Sequence, residues 1–373
     1  MKKLLGLAFL LLAHTALAEP LTPEDRALIA DLASKHQVSV QDLTYAAEEA
    51  KLLPKILSTM DRPYEAKPWY IYRKNFIVPA RINEGVDFWI KNEAIIDRAA
   101  ERFQVNPEIV VAIIGVETFY GKNMGNFRVL DALYTLGFRY PKRAAYFSGE
   151  FARFVELANK QGWKYGDIKG SYAGAMGMGQ FMPTSYLTWG VDFNGDGHTD
   201  LFKNKWDIIG SVAYYFQDHG WKKNWEVTVP TTVKNPDTAA LMLTETMKDT
   251  RTAGELRAHG VYVPERFKDS MPIKLLRFEE EHGYSWHLAF HSFRVITTYN
   301  RSPLYAMSVY QLSQMIRDSY LNRKKALSET PVKPEGKDRH QAPGKPRDVR
   351  KPAPKPAPKP APSRSGKPNH GRK

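Results

Sequence analysis

Residues 106 to 125, NPEIVVAIIGVETFYGKNMG, carry more apolar side chains in succession than one face of a surface helix can hold. Asn106 offers a side-chain oxygen to the free amides of a first turn, Pro107 suits the first helical position, and Glu108 complements the positive end of the dipole. Ile109, Val110, Val111, Ile113, Ile114 and Val116 are then apolar on nearly every side, the pattern of a helix sunk into a core. The rest of the fold has to be built around it. Glu117 falls four residues after Ile113 and seven after Val110, so its carboxyl projects from the same buried stripe.

Apolar surroundings disfavour the Glu117 anion, the negative end of the helix disfavours it further, and no Lys or Arg precedes it within the helix. The spacing therefore predicts a carboxyl that keeps its proton near neutral pH. General acid catalysis on a poor leaving group such as glycosidic oxygen requires such a group. A buried Glu paired with a distant Arg is the other reading of the same residue.

The chain opens with Lys2, Lys3, an apolar run from Leu4 to Leu12 and Ala16-Leu17-Ala18, which predicts a signal peptide over residues 1–18 and a soluble periplasmic protein after its removal. The run is too short to span a hydrocarbon layer of ~30 Å. There is no Cys, which excludes disulfides, zinc–thiolate sites and a lipid anchor on Cys. The net charge of +14 suggests nucleic acid until it is located: residues 331–373 hold thirteen Lys or Arg against three acids. The body is close to neutral and has no polyanion footprint, so no nucleic acid is expected as a partner. The tail beyond Ser328 holds 11 of the 25 prolines in Lys-Pro-Ala-Pro repeats and reads as an extended, disordered basic segment, suited to anionic wall or membrane surfaces.

Along the body, Thr22 to about Leu57 reads as two amphipathic helices opened by Thr22-Pro23-Glu24 and Ser39-Val40-Gln41-Asp42. Asp61 to Pro79 is dense in aromatics and prolines and suits an ordered extended loop, lining a sugar site or filling core. Gly85 to Phe103 reads as one helix, and Arg128 to Tyr134 and Ala144 to Ala158 as two more, separated by Gly137-Phe138-Arg139-Tyr140-Pro141. The Gly-rich stretch Gly170 to Pro183 implies close backbone approach, and no lysine stands in the phosphate-loop position. Strand-like alternation recurs in Glu226–Val229, Ile273–Phe278 and Ser292–Ile296, which predicts a small antiparallel sheet over about 225–297. His282, His287 and His291 lack an HExxH helix and read as surface or stacking residues. Tyr305 to Ser319 returns to helical spacing.

Asp192-Phe193-Asn194-Gly195-Asp196-Gly197-His198-Thr199-Asp200 matches the first nine positions of an EF-hand loop. Asp192, Asn194 and Asp196 offer side-chain oxygens, His198 its carbonyl, and Gly197 the sharp turn. The twelfth position is Lys203, so a bidentate acid is missing there. Asp207, at the head of a helix from Asp207 to His219, or Asp200 is expected to complete a calcium shell; an Asx-turn without metal is the alternative.

Taken together, GVETFYGKNMG, GSYAGAMGMGQFMPTSY, VDFNGDGHTDL, WDIIGSVAYYFQDHGW, PWYIYRKNFIVP and ITTYNRSPLYAM resemble the signature blocks of the lytic murein transglycosylase B family over about residues 20–325. The resemblance implies a mainly α (α+β) fold: a goose-type lysozyme-like core with a helical α region, a small antiparallel β region and an EF-hand-like loop at 192–207. It divides the chain into an N-terminal helical region (19–65), a catalytic body (66–325) and a basic tail (326–373). It implies action on the glycan strands of peptidoglycan, with a structural Ca²⁺, no organic cofactor and a monomeric chain. Glu117 falls on the family's single catalytic acid. Ser171 and Asn300 match positions that orient the N-acetylmuramoyl group, and Gln180, Tyr72, Tyr215, Tyr299 and Tyr305 match cleft positions. Arg143 and Tyr146 are further candidates for the glycan or its peptide branch. A hydrolytic lysozyme-like muramidase and a non-catalytic wall-binding scaffold remain as alternative readings.

Overall fold

The computed structural model describes residues 20–61, 67–243 and 249–329. The expected signal peptide, and the tail from residue 330 onward, lie outside the described residues. Helix α1 (Pro23–His36) starts at a reciprocal capping box, in which the Thr22 hydroxyl accepts from the Asp25 amide and the Asp25 carboxylate from the Thr22 amide, both at 3.1 Å. Ser39 caps α2 (Val40–Glu49) through the Gln41 and Asp42 amides. A third helix that the sequence pattern did not show, α3 (Pro54–Met60), follows. The strap before it is tied to the core, with the Lys51 amide on Asp131 Oδ1 and the Leu53 amide on Thr135 Oγ1, both at 2.9 Å, and Pro54 starts the new turn.

The expected extended loop is instead a helical turn, α4 (Trp69–Tyr72), running into a 3₁₀ turn at Arg73–Asn75. Trp69 and Tyr72, three apart, thereby both point into the core, where each is 2% exposed. The single helix expected over Gly85–Phe103 is two, α5 (Pro79–Lys91) and α6 (Glu93–Arg102). Asn92 breaks it, its side-chain amide donating to the Phe88 carbonyl at 2.8 Å in place of a helical continuation. Helix α7 (Pro107–Thr118) is the predicted buried helix, with every residue from Glu108 to Val116 buried.

Strand β1 (Phe127–Arg128) leads into α8 (Val129–Arg139), which includes Gly137 rather than ending at it. A Cβ there would strike the Ser148 backbone of α9 (Ala144–Gln161), so this glycine serves close helix contact and not a turn. Strand β2 (Lys169–Gly170) pairs antiparallel with β1, and α10 (Pro183–Trp189) and α11 (Lys205–Asp218) complete the helical body. The β region follows as β3 (Thr228–Thr231), α12 (Pro236–Ala240), β4 (Arg251–Thr252), α13 (Ala253–Ala258), β5 (Pro272–Glu279) and β6 (Tyr284–Ala289), with antiparallel strand order β3-β6-β5-β4. The third expected strand, Ser292–Ile296, is helical. It lies in α14 (His291–Tyr299), where Ser292, Phe293, Val295 and Ile296 are buried at helical spacing. Helix α15 (Pro303–Glu329) closes the described part.

One continuous core runs from Leu21 to Tyr320, so the N-terminal helices share it with α7. The β region has a smaller core of its own around Ile273, Leu275 and Leu288. His287 meets the Phe278 ring edge-on, and His291 Nε2 bonds to the Gly220 carbonyl at 2.8 Å. No helix among the described residues is long and apolar enough to cross a membrane.

Candidate active site

Helix α7 ends in two consecutive left-handed residues, Phe119 (φ 51°) and Tyr120 (φ 58°). The turn is tied to the Gly-rich segment: the Thr118 hydroxyl donates to the Met178 carbonyl at 2.8 Å and accepts from the Gly121 amide at 3.0 Å. That segment folds back on itself, Met176 bridging Phe181 and the Ser171 amide donating to the Ala175 carbonyl at 2.9 Å. A Cβ on Gly125 would run into the Gly170 carbonyl, and Gly125 (φ 93°) is in addition left-handed. The close approach anticipated from the glycines is thus backbone on backbone, and it fixes the ground on which Glu117 stands.

The Glu117 carboxyl accepts from the Tyr305 hydroxyl at 2.5 Å, across from α15. Burial pushes its pKa up to about 7, with the Tyr305 hydrogen bond pulling the other way. Tyr299 donates to the Gly179 carbonyl at 2.6 Å. Burial, and then the Glu117 charge, hold the hydroxyls of Tyr299 and Tyr305 well above the usual phenol range. Tyr72 adds to this effect on Tyr305, which places the α4 turn beside the same cluster.

Next to it opens a cavity of about 700 Å³. Six of the residues matched from the sequence line it: Arg143, Tyr146, Gln180, Tyr215, Tyr299 and Asn300. Gln180 (φ 52°) is fixed by Nε2 donating to the carbonyls of Met124 (3.1 Å) and Gly177 (3.0 Å). The Arg143 guanidinium lies over the rings of Tyr146 and Phe147, 4.5 and 4.8 Å from their centroids. Burial pushes Tyr215 up to about 12, against a hydrogen bond with Thr298. Ser171 does not line this cavity; its Oγ accepts from the Ala173 and Ala175 amides at 3.3 and 3.0 Å and shapes the turn. Phe181, Met182, Ser185, Thr298 and Arg301 also line the cavity and went unread. Thr298 and Arg301 flank the matched Tyr299 and Asn300, which was the available signal.

No Asp or Glu lines the cavity among the described residues. Asp131, the nearest acid after Glu117 along α8, accepts from the Lys51 amide at 2.9 Å and pairs with Arg128 at 3.1 Å, so it is spent on structure.

In the EF-hand-like loop, Asp192 accepts from the amides of Gly195, Asp196 and Gly197, and Asp196 Oδ1 from the His198 amide at 2.9 Å. Gly195 (φ 77°) and Gly197 (φ 89°) make the turn left-handed. Asp207 is fully buried at the start of α11, and its two oxygens accept from the amides of Phe193 (3.0 Å) and Asp200 (2.8 Å), clamping both limbs of the loop. Among the described residues, no group of three or more His, Asp or Glu is gathered as a metal cluster. The donors of Asp192, Asn194, Asp196 and the His198 carbonyl are all oxygen, which suits a hard divalent cation.

Residues 22–314 match the Transglycosylase SLT domain. The fold is that of the lysozyme-like transglycosylases, helical with small antiparallel sheets. Membrane-bound lytic murein transglycosylase B of Escherichia coli (strain K12) is 40% identical over 304 residues, 79% of this chain and 82% of that one. The soluble lytic transglycosylase SltB1 of Pseudomonas aeruginosa superposes with a TM-score of 0.73 at 40% identity, covering 80% of this chain and 99% of that chain. The E. coli lytic transglycosylase Slt35 in complex with calcium gives 0.72 at 40% identity, covering 80% and 94%. The chain belongs to the lytic murein transglycosylase B family.

Proposed function

We propose that this chain is a peptidoglycan lytic transglycosylase. It cleaves the β-1,4 bond between N-acetylmuramic acid and N-acetylglucosamine and leaves a 1,6-anhydro-N-acetylmuramic acid end. The observation that carries this reading is Glu117, a desolvated carboxyl beside a cavity whose lining holds no Asp or Glu among the described residues. A retaining hydrolase needs a partner carboxylate ~5 to 5.5 Å away and an inverting one a base at ~6.5 to 9.5 Å, so the substrate has to supply its own nucleophile.

Tyr305 donates to Glu117 Oε1, which leaves Oε2 to carry the acidic proton. Oε2 protonates the leaving glycosidic oxygen as the C1–O bond breaks, and the N-acetyl oxygen of the muramoyl residue stabilises C1. The Glu117 carboxylate then removes the proton from the C6 hydroxyl as O6 bonds to C1, which restores the acid without water. Asn300 is assigned to orienting the muramoyl group, Gln180, Tyr215 and Tyr299 to the walls of the cleft, and Arg143 with Tyr146 to the outer glycan or its peptide branch, while Ser171 shapes the turn and Tyr72 stands beside Tyr305 behind the cavity. Calcium would be held by Asp192, Asn194, Asp196 and the His198 carbonyl, with Asp207 gathering the loop around it. It supplies a cross-link within the fold and no chemistry at Glu117. The setting is the periplasm, with residues 66–325 as the catalytic body.

Digestion of purified sacculi followed by mass analysis of the muropeptides tests the reading. Anhydro ends are expected; reducing N-acetylmuramic acid ends that take oxygen from labelled water would overturn it in favour of hydrolysis.

A further inference from the structure

Asn106, expected to cap α7, makes no cap hydrogen bond. Its Oδ1 accepts instead from Trp221 Nε1 at 3.2 Å and from the Asn224 amide at 3.0 Å. Its Nδ2 donates to Glu108 Oε1 and Asn224 Oδ1, both at 3.1 Å. These bonds fasten residues 221–225 to the start of α7 and hold Asn224 left-handed at φ 65°. Beside them lies a cavity of about 370 Å³. It is walled by α7, by the segment from Trp221 to Val227, and by the face of α15 that carries Tyr310, Gln314 and Arg317 at helical spacing. Its lining shares no residue with the cavity beside Glu117. Along the axis of α7, Glu108 stands about 14 Å from Glu117.

Two features of this cavity stand open to a ligand. Glu108 is only 6% exposed, yet among the described residues it has no ion pair, and its one side-chain hydrogen bond is the Asn106 contact on Oε1. Its other carboxylate oxygen makes no protein hydrogen bond among the described residues, so it is open to a donor from a ligand in the cavity. Trp225, in contrast, is 60% exposed at the rim, a large flat apolar face left in water. Arg317, the basic residue of the lining, pairs with Asp318 at 3.1 Å and not with Glu108, and Glu226 is paired with Arg266 at 2.9 Å.

An indole face beside a carboxylate, amides from Asn224 and Gln314 and a phenol from Tyr310 suits a pyranose. The ring's C–H face stacks on the indole, and its hydroxyl and acetamido groups meet the polar atoms. The two carboxylates count against an anionic ligand. We propose that this cavity is a second saccharide site, one that seats an N-acetylhexosamine unit of a glycan chain with Trp225 as the platform and Glu108 as a hydroxyl acceptor. The proposal rests on the peptidoglycan reading only in taking that chain to be wall glycan. Such a site keeps the enzyme on the wall while the cleft at Glu117 exchanges substrate.

The test uses full-length protein carrying Glu117→Gln and 5-fluorotryptophan, titrated with tetra-N-acetylchitotetraose and followed by ¹⁹F NMR, with the Trp225 resonance assigned by Trp225→Phe. That resonance should shift saturably. Gln314→Ala, which leaves the indole in place, should weaken the saturation at least tenfold. With Glu117 intact, Trp225→Ala should weaken sedimentation with sacculi severalfold and leave turnover of short soluble glycans unchanged. A Trp225 resonance that stays fixed at millimolar sugar, or one that shifts with a free stem peptide and not with the sugar, would overturn the proposal. Failure of the catalytic reading would appear in the reaction products instead, which the Trp225 resonance does not report.

Discussion

Glu117 shows how far one residue can be read from spacing. Its place on the apolar stripe was enough to expect a protonated carboxyl, because desolvation is a local consequence of the helix around it. The group that tunes it was not visible from spacing, since Tyr305 lies 188 residues away and reaches it only through the packing of α15. Two predictions separate the contributions. Folding raises the Glu117 pKa from its usual 4.5 to about 7, so between those values the native state holds a proton that the unfolded chain has released. Stability from this group therefore falls as pH rises through that window. Glu117→Gln, besides abolishing turnover, should leave stability at pH 4 nearly unchanged and raise it by about 1 to 3 kcal/mol at pH 8, as read from thermal melts. Equal differences at the two pH values would contradict the assigned environment. Tyr305→Phe removes the one interaction that lowers this pKa, so the alkaline limb of the pH–rate profile should move upward. A limb that moves down would mean that Tyr305 raises the proton affinity.

At the level of elements, the legible parts were those with local causes. The Thr22 and Ser39 caps, Pro107 at the start of α7 and the alternation of β5 are decided within a few residues, and they are where the sequence placed them. The misread parts answer to distant neighbours. Ser292–Ile296 satisfies a strand pattern as readily as a helical one, and burial of Phe293 and Ile296 against the main core selects the helix. Gly137 reads as a breaker until the Ser148 backbone is seen against it. Gly137→Ala should therefore destabilise the protein by about 1 to 3 kcal/mol by forcing α8 from α9, although alanine is intrinsically the better helix former. A denaturation midpoint that rises with this substitution would return Gly137 to the role of a flexible joint. The EF-hand-like loop lies between these cases: its turn and Asp207 as a closing residue were legible in the sequence, whereas the Phe193 and Asp200 amides that Asp207 holds were not. If the loop takes calcium, the melting temperature should rise with calcium concentration and fall in chelator, and Asp196→Ala should remove the difference. Identical melts in calcium and chelator would leave an Asx-turn.

Across the whole molecule, the main core joins residues from Leu21 to Tyr320, so the N-terminal helices are part of the body that holds Glu117 rather than an appendage to it. Charge is distributed otherwise. Thirteen Lys or Arg and three acids occupy residues 331–373, while the remainder of the chain is nearly balanced. The attraction of such a basic segment to an anionic surface is a screened, long-range force that acts without a shaped site. Deleting residues 331–373 should therefore leave turnover of short soluble glycans within experimental error, because such substrates present no extended anionic surface. Binding to sacculi at low ionic strength should weaken severalfold, and the difference between full-length and truncated protein should fade as salt approaches ~1 M, where the screening length falls to ~3 Å. A loss on truncation that persists at high salt would assign the tail a contact of defined shape, and a loss of turnover on soluble glycans would connect it to the chemistry at Glu117.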